Sequence, residues 1–128
     1  RRGHDISDVL SRLLMNHDMT PKKELFRSFA CASRDKIDHF DARCLSNIAY
    51  AYALIKYVPE FDDESDLFDH VATQASQRSA EFNAQGISNM MWAYATVDKP
   101  HALLFQAMAD QIAAYEHLGE FKSQEISN

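Results

Sequence analysis

Apolar residues in this chain recur with the period of a helix. Leu45, Ile48, Ala49, Tyr52 and Ala53 follow the i, i+3, i+4, i+7, i+8 spacing of an amphipathic helix, and Ile87, Met90, Met91, Tyr94 and Ala95 repeat it. Two more stripes share that period: Leu67, Phe68, Val71, Ala72 and Ala75, then Leu104, Phe105, Met108, Ala109 and Ile112. Asp41 and Asn83 precede the first kind of helix, where a side-chain oxygen can accept from the free N–H groups of the first turn. Thr20-Pro21 and Asp98-Lys99-Pro100 read as starts of the second kind, because proline near a first turn gives up no hydrogen bond. In the middle copy Pro59 falls in an acidic loop, and Ser65 is the expected cap. The second helices are thus expected over 21–36, 66–80 and 100–117, with Gly119 ending the last as a left-handed cap.

The pattern repeats as sequence, not only as period. The segment Phe40 to Ala53 reappears as Phe82 to Ala95 and begins again as Phe121 to Asn128; Ile6 to Leu10 is a degraded first copy. Asp8, Asn47, Asn89 and Asn128 are 39, 42 and 39 residues apart. Leu25-Phe26, Leu67-Phe68 and Leu104-Phe105 lie between them, and Pro21, Pro59 and Pro100 keep the same order. A helical hairpin of about 40 residues cannot bury enough apolar surface alone, whereas stacked hairpins share one core. The expected fold is therefore all-α, a right-handed α-solenoid of stacked two-helix repeats with a 39–42-residue period. Its repeats would span about 5–40, 41–82 and 83–121, with a fourth starting at 122–128. Large and small residues alternate in Tyr50-Ala51-Tyr52-Ala53 and Trp92-Ala93-Tyr94-Ala95, so a neighbouring helix can approach over the alanines. Trp92 is expected in the core, where loss to Ala would cost on the order of 3–5 kcal/mol.

Composition narrows the class. With 128 residues, 46% hydrophobic and 25% charged, the chain has the make-up of one soluble globular unit. Only 3 Gly and 3 Pro disfavour an all-β sandwich, which needs a turn every few residues. No apolar run approaches the roughly 18 residues of a membrane span, so no membrane insertion is expected. The chain opens on Arg1 without a Met and stops in mid-pattern at Asn128, which reads as a piece of a longer protein. Net charge is −6, unevenly spread: residues 1–56 hold ten Lys/Arg against seven Asp/Glu, and residues 57–82 hold one against seven. A phosphate-binding surface normally shows as a basic stripe, so this balance weighs against nucleic acid.

Catalytic and metal motifs do not emerge. The six histidines form no HExxH pair, and Cys31 and Cys44 form no CxxC; buried structural thiols in a reducing compartment are the expectation for both. Asp62-Asp63-Glu64-Ser65-Asp66 has the acidity of a calcium loop but not its order, and reads as a solvated loop. No cofactor or metal is expected, and no enzymatic activity within these residues.

Candidate ligand contacts lie near the start of the first helices, where equivalent positions form a ladder of one rung per repeat. Arg43, Gln85 and Gln124 make one column, Cys44, Gly86 and Glu125 the next, followed by the Ser-Asn pairs containing Asn47 and Asn89. Asn and Gln carry donor and acceptor together and suit base edges, while Arg43, with Arg12, suits phosphate. The RNA-binding candidates are Arg43, Asn47, Gln85, Gly86, Asn89 and Gln124. The Ser-Asn pairs, identical in each copy, are read more readily as bonds to a neighbouring repeat's backbone. Gly86 admits close approach by a ligand or by the next helix. Tyr50, Trp92 and Tyr94 can stack on bases, but their place in apolar runs favours core packing.

The blocks Phe-x-x-[Arg/Gln]-x-[Leu/Ile]-Ser-Asn-x-x-[Tyr/Trp]-Ala-Tyr-Ala, with Leu-Phe opening the second helix, resemble the octotricopeptide repeats and the related RAP-associated repeats of algal and protist organelle proteins. The resemblance implies a helical-repeat protein that binds single-stranded RNA, an organellar transcript or rRNA, alongside other proteins of a ribonucleoprotein assembly. It also implies post-transcriptional work, in RNA stability, processing or translation, in the mitochondrion or chloroplast. The alternative is a protein-binding α-solenoid scaffold or structural subunit of a large organellar assembly such as a ribosome, which the acidic balance favours.

Overall fold

The computed structural model describes the backbone of residues 22–127 and the side chains of residues 23–117. It is all-helical, with α1 (Lys22–Arg34), α2 (Ala42–Leu54), α3 (Leu67–Gln77), α4 (Ala84–Thr96) and α5 (Ala102–Ser127), and no strand among the described residues. The expected copy around Asp8, the Thr20-Pro21 helix start, Arg12 and Asn128 lie outside the described residues, as does the side chain of Gln124. The helices α2 and α4 lie side by side, and α3 packs against both α1 and α5 on their other side.

Local chemistry sets most boundaries as expected. Asp41 and Asn83 cap α2 and α4, accepting from Cys44 N and Gly86 N, each at 2.8 Å. Other boundaries move. The cap of α3 is Asp66, not Ser65: Asp66 accepts from Asp69 N at 2.9 Å while the Asp69 carboxylate accepts from Asp66 N at 3.1 Å. This reciprocal box satisfies two orphan donors where serine would satisfy one. Ser65 serves the loop instead, donating to Asp63 and meeting His70 Nε2 at 2.9 Å. Its bonds hold the Asp63 carboxyl below the usual range. Asp98-Lys99-Pro100 does not open a helix. Asp98 is left-handed with φ 55°, and His101 Nδ1 accepts from Leu104 N at 3.2 Å as the start of α5.

Gly119 does not end α5, which runs on to Ser127. Glycine inside a helix costs only about 1 kcal/mol, and residues 120–128 hold no proline to enforce a stop. The two other second-type helices end earlier than expected, α1 at Arg34 and α3 at Gln77, each followed by a 3-10 turn, Ile37–His39 and Ser79–Glu81.

Those turns belong to a set of features that recur 42 residues apart. Lys56 and Asp98 both close a helix in the left-handed region, at φ 52° and 55°. Each closure uses the same two bonds: Tyr57 N to Tyr52 O and Lys56 N to Ala53 O, then Lys99 N to Tyr94 O and Asp98 N to Ala95 O. This is the Schellman geometry, built here without the usual glycine. The tyrosines at its root correspond too. Tyr52 Oη donates to Phe26 O with the rings edge-on at 5.4 Å, and Tyr94 Oη donates to Phe68 O with the rings edge-on at 5.0 Å. Both tyrosines are buried, and burial lifts each phenol well above its ordinary pKa, so the hydroxyl keeps the proton it donates.

Backbone carbonyls at the turns tie successive pairs together. Arg78, at the end of α3, donates to Phe40 O and Asp38 O, and Tyr115 of α5 donates to Phe82 O. The core is continuous across these joints and includes Phe26, Tyr52, Phe68, Phe82, Met90 and Tyr94. Cys44 is fully buried and Cys31 half-buried.

Lys99 adds an ionic clasp between the end of α4 and the start of α3, donating to Asp66 and lying 3.2 Å from Asp69. Burial alone would push its pKa down; bonding and charge from the two carboxylates outweigh this, and the net is upward. A cation whose pKa is higher folded than unfolded stabilises fully below the unfolded value, about 10.4, and loses that contribution as pH climbs through the folded one. Lys99→Met is therefore expected to cost about 1–2 kcal/mol at neutral pH, with the gap from wild type closing above about pH 10.5 in urea titrations. Tyr94→Phe is expected to lower stability by about 1 kcal/mol, and Tyr52→Phe by a similar amount, in the same assay.

Candidate nucleic-acid interface

The helices α2 and α4 meet in register. Ser46 Oγ lies 3.6 Å from the place a Cβ on Gly86 would occupy, and the rings of Tyr50 and Trp92, equivalent positions, have centroids 5.1 Å apart. Their first turns flank a cleft of about 180 Å³, lined by residues that include Arg43, Asn47, Gln85, Gly86 and Asn89. Five of the six expected contact residues thus converge on one place. The sixth, Gln124, lies outside the described side chains.

Within the cleft Arg43 and Gln85 are exposed and Asn47 and Asn89 half-buried. Gln85 Nε2 donates to Asn89 Oδ1 at 3.0 Å, which aligns the two amides across one helical turn. Gly86 is buried, and its missing Cβ leaves room for its own N-cap, since an added Cβ would sit 3.3 Å from both Asn83 Oδ1 and Phe82, while Ser46 of α2 stays at ordinary contact distance. Two members of the Ser-Asn pairs bond within their own helices and not to a neighbour's backbone: Ser46 donates to Arg43 O at 3.0 Å and Asn89 bonds Gln85. Bonds to a neighbour's backbone fall instead to Tyr52, Tyr94, Arg78 and Tyr115, side chains long enough to span two helices.

Trp92 is not a core residue. It is 44% exposed and Tyr50 37%, whereas Tyr52 and Tyr94 are essentially inaccessible. The reason is angular: residues two apart in a helix point about 200° apart, so if Tyr52 faces in, Tyr50 faces out. Ala51, Ala53 and Ala93 are buried, as close approach requires. Heptad arithmetic on the polar rungs would have found the aromatics. Counting i, i+4, i+7 from Arg43 reaches Asn47 and Tyr50, and from Gln85 reaches Asn89 and Trp92.

The result is one face that carries amides and a guanidinium at the N-terminal end and two touching aromatic rings one turn further on. Its charge is mixed, because Glu81 also lines the cleft and Asp41 caps α2 beside Arg43. The acidic stretch between α2 and α3 is an ordered turn rather than a merely solvated one, closed by Phe61 N to Ser65 O and Leu67 N to Pro59 O. It follows the C-terminal end of α2, roughly 20 Å along the helix from the cleft. No cluster able to hold a metal ion occurs among the described residues, and no described helix is long and apolar enough to cross a membrane.

No family profile matches the chain, and no match is found among curated proteins or solved structures. The geometry therefore carries the functional argument.

Because Trp92 keeps nearly half its surface in water, Trp92→Ala is expected to cost about 1–2 kcal/mol, well below the core value. Tyr94→Ala is expected to cost about 3–5 kcal/mol. Paired urea midpoints check the difference.

Proposed function

We propose that this chain is part of a right-handed α-solenoid of two-helix repeats that binds single-stranded RNA across α2 and α4. The proposed role is in RNA stability, processing or translation in the mitochondrion or chloroplast. What supports the repeat reading is the 42-residue correspondence of caps, 3-10 turns, left-handed closures and tyrosine bonds. The RNA reading rests on one coincidence: the polar rungs Arg43, Asn47, Gln85 and Asn89 share an exposed face with the stacked pair Tyr50–Trp92.

Exposed rings offer a stacking platform that any base can use, and amides beside them offer paired donors and acceptors. Arg43 supplies one cation for a phosphate. The action would be passive, an occupied strand being shielded from nucleases or held out of secondary structure. With a single cation and neighbouring carboxylates, affinity would come from stacking and hydrogen bonds more than from counterion release.

The exposed acidic turn with Glu60, Asp62, Asp63 and Glu64 favours a second reading, a scaffold for basic protein partners. Trp92 is the chain's one tryptophan, so its fluorescence reports on this face alone. Single-stranded RNA is expected to quench it, with Tyr50→Ala weakening binding by roughly 1–3 kcal/mol and Arg43→Ala lowering the log–log salt slope by about one. No quenching at low salt, or quenching indifferent to both substitutions, sinks the RNA reading. Quenching by a basic peptide in its place selects the scaffold.

A further inference from the structure

The side of α2 that receives α4 is made of Ala42, Ser46, Ala49 and Ala53, all buried. Their counterparts 42 residues on are Ala84, Ser88, Met91 and Ala95. Three of these are exposed and Met91 is half-buried. A hollow of about 380 Å³ opens at the N-terminal end of this side, between Ala84, Ile87 and Ser88 of α4 and Ile112, Tyr115 and Glu116 of α5. It is strongly apolar in character, and Ile112 is 40% exposed.

The chain itself carries a segment of the right pattern. Glu120-Phe121-x-x-Gln124-x-Ile126-Ser127-Asn128 repeats Glu81-Phe82-x-x-Gln85-x-Ile87-Ser88-Asn89, residue for residue at the named positions. Glu81 ends a 3-10 turn that reverses the chain from α3 into α4, and Phe82 and Ile87 are buried by that reversal. In α5 the corresponding residues Leu118–Glu120 continue the helix instead, with Gly119 at its weakest point.

We propose that the open side of α4 is the docking place for the helix that Phe121 begins, reached when α5 breaks at Leu118–Glu120 into the turn seen at Ser79–Glu81. The occupant follows from equivalence, since α4 occupies the same side of α2 and has the same sequence signature. Docking covers Ser88 as α4 covers Ser46. This rests on the repeat reading above but not on RNA, and its test contains no nucleic acid.

The contact of Ser46 with Gly86 maps onto Ser88 with Glu125. In the full chain, Ser88→Cys/Glu125→Cys is expected to form an intramolecular disulfide under mild oxidation, identified by peptide mass mapping against Cys31 and Cys44. Along a straight α5, position 125 lies roughly 14 Å beyond Glu116, out of reach. Gly119→Ala, which favours the straight helix, is expected to cut the yield about fivefold. As a readout independent of disulfide geometry, Ser88→Cys alone is expected to alkylate as slowly as Ser46→Cys. Rapid alkylation at 88 with no intramolecular link overturns the proposal. So do links formed only between two chains, which would make a second copy the occupant.

Discussion

Two buried tyrosine hydroxyls govern the arrangement of this protein. A hydroxyl taken out of water needs an acceptor, and a helix offers one only where a carbonyl can be approached from outside its own ladder. Tyr52 finds it at Phe26 and Tyr94 at Phe68, each with its ring set edge-on to the same phenylalanine. One rotation of α2 about its axis satisfies both the bond and the ring contact, and the same rotation of α4 satisfies the second pair. Once those rotations are set, Tyr50 and Trp92 have only one place to go, which is outward and against each other.

The rest of the packing extends that choice. Small buried residues on α2, Ala49 and Ala53, let α2 and α4 run close and in register, with Ser46 at van der Waals distance from Gly86. Arg78 and Tyr115 then fasten the second-type helices to carbonyls at the preceding turn. Closing α2 and α4 with a left-handed Lys56 and Asp98 accepts local strain of about 1 kcal/mol apiece. The gain is a reversal sharp enough to present Lys99 to Asp66 and Asp69.

Function, on this reading, uses what the core does not. The core consumes one side of α2 and α4, their mutual contact consumes another, and the remaining strip holds Arg43, Asn47 and Tyr50 beside Gln85, Asn89 and Trp92. Amides aligned by Gln85–Asn89 and rings held at 5.1 Å are preorganised, so a ligand would meet them with little ordering left to do. The acidic turn lies toward the other end of α2, and the carboxylates at the Arg43 end among the described residues include Glu81 and Asp41.

Local pattern determined a good deal. The helical class, the approximate helices and the capping roles of Asp41 and Asn83 are all properties of spacing and of short-range hydrogen bonding, which a linear sequence carries in full. Decisions that depend on a neighbour were not legible. Whether Ser65 or Asp66 caps α3 turned on a reciprocal bond, and whether Gly119 ends a helix turned on what lies beyond it. Trp92 is the clearest case. As a residue it belongs among core formers, and its apolar surroundings in sequence agree. Yet its helix can bury only one of the two aromatics spaced two apart, and the carbonyl of Phe68 on another helix chose Tyr94, because a buried hydroxyl must be answered and an indole can remain half in water.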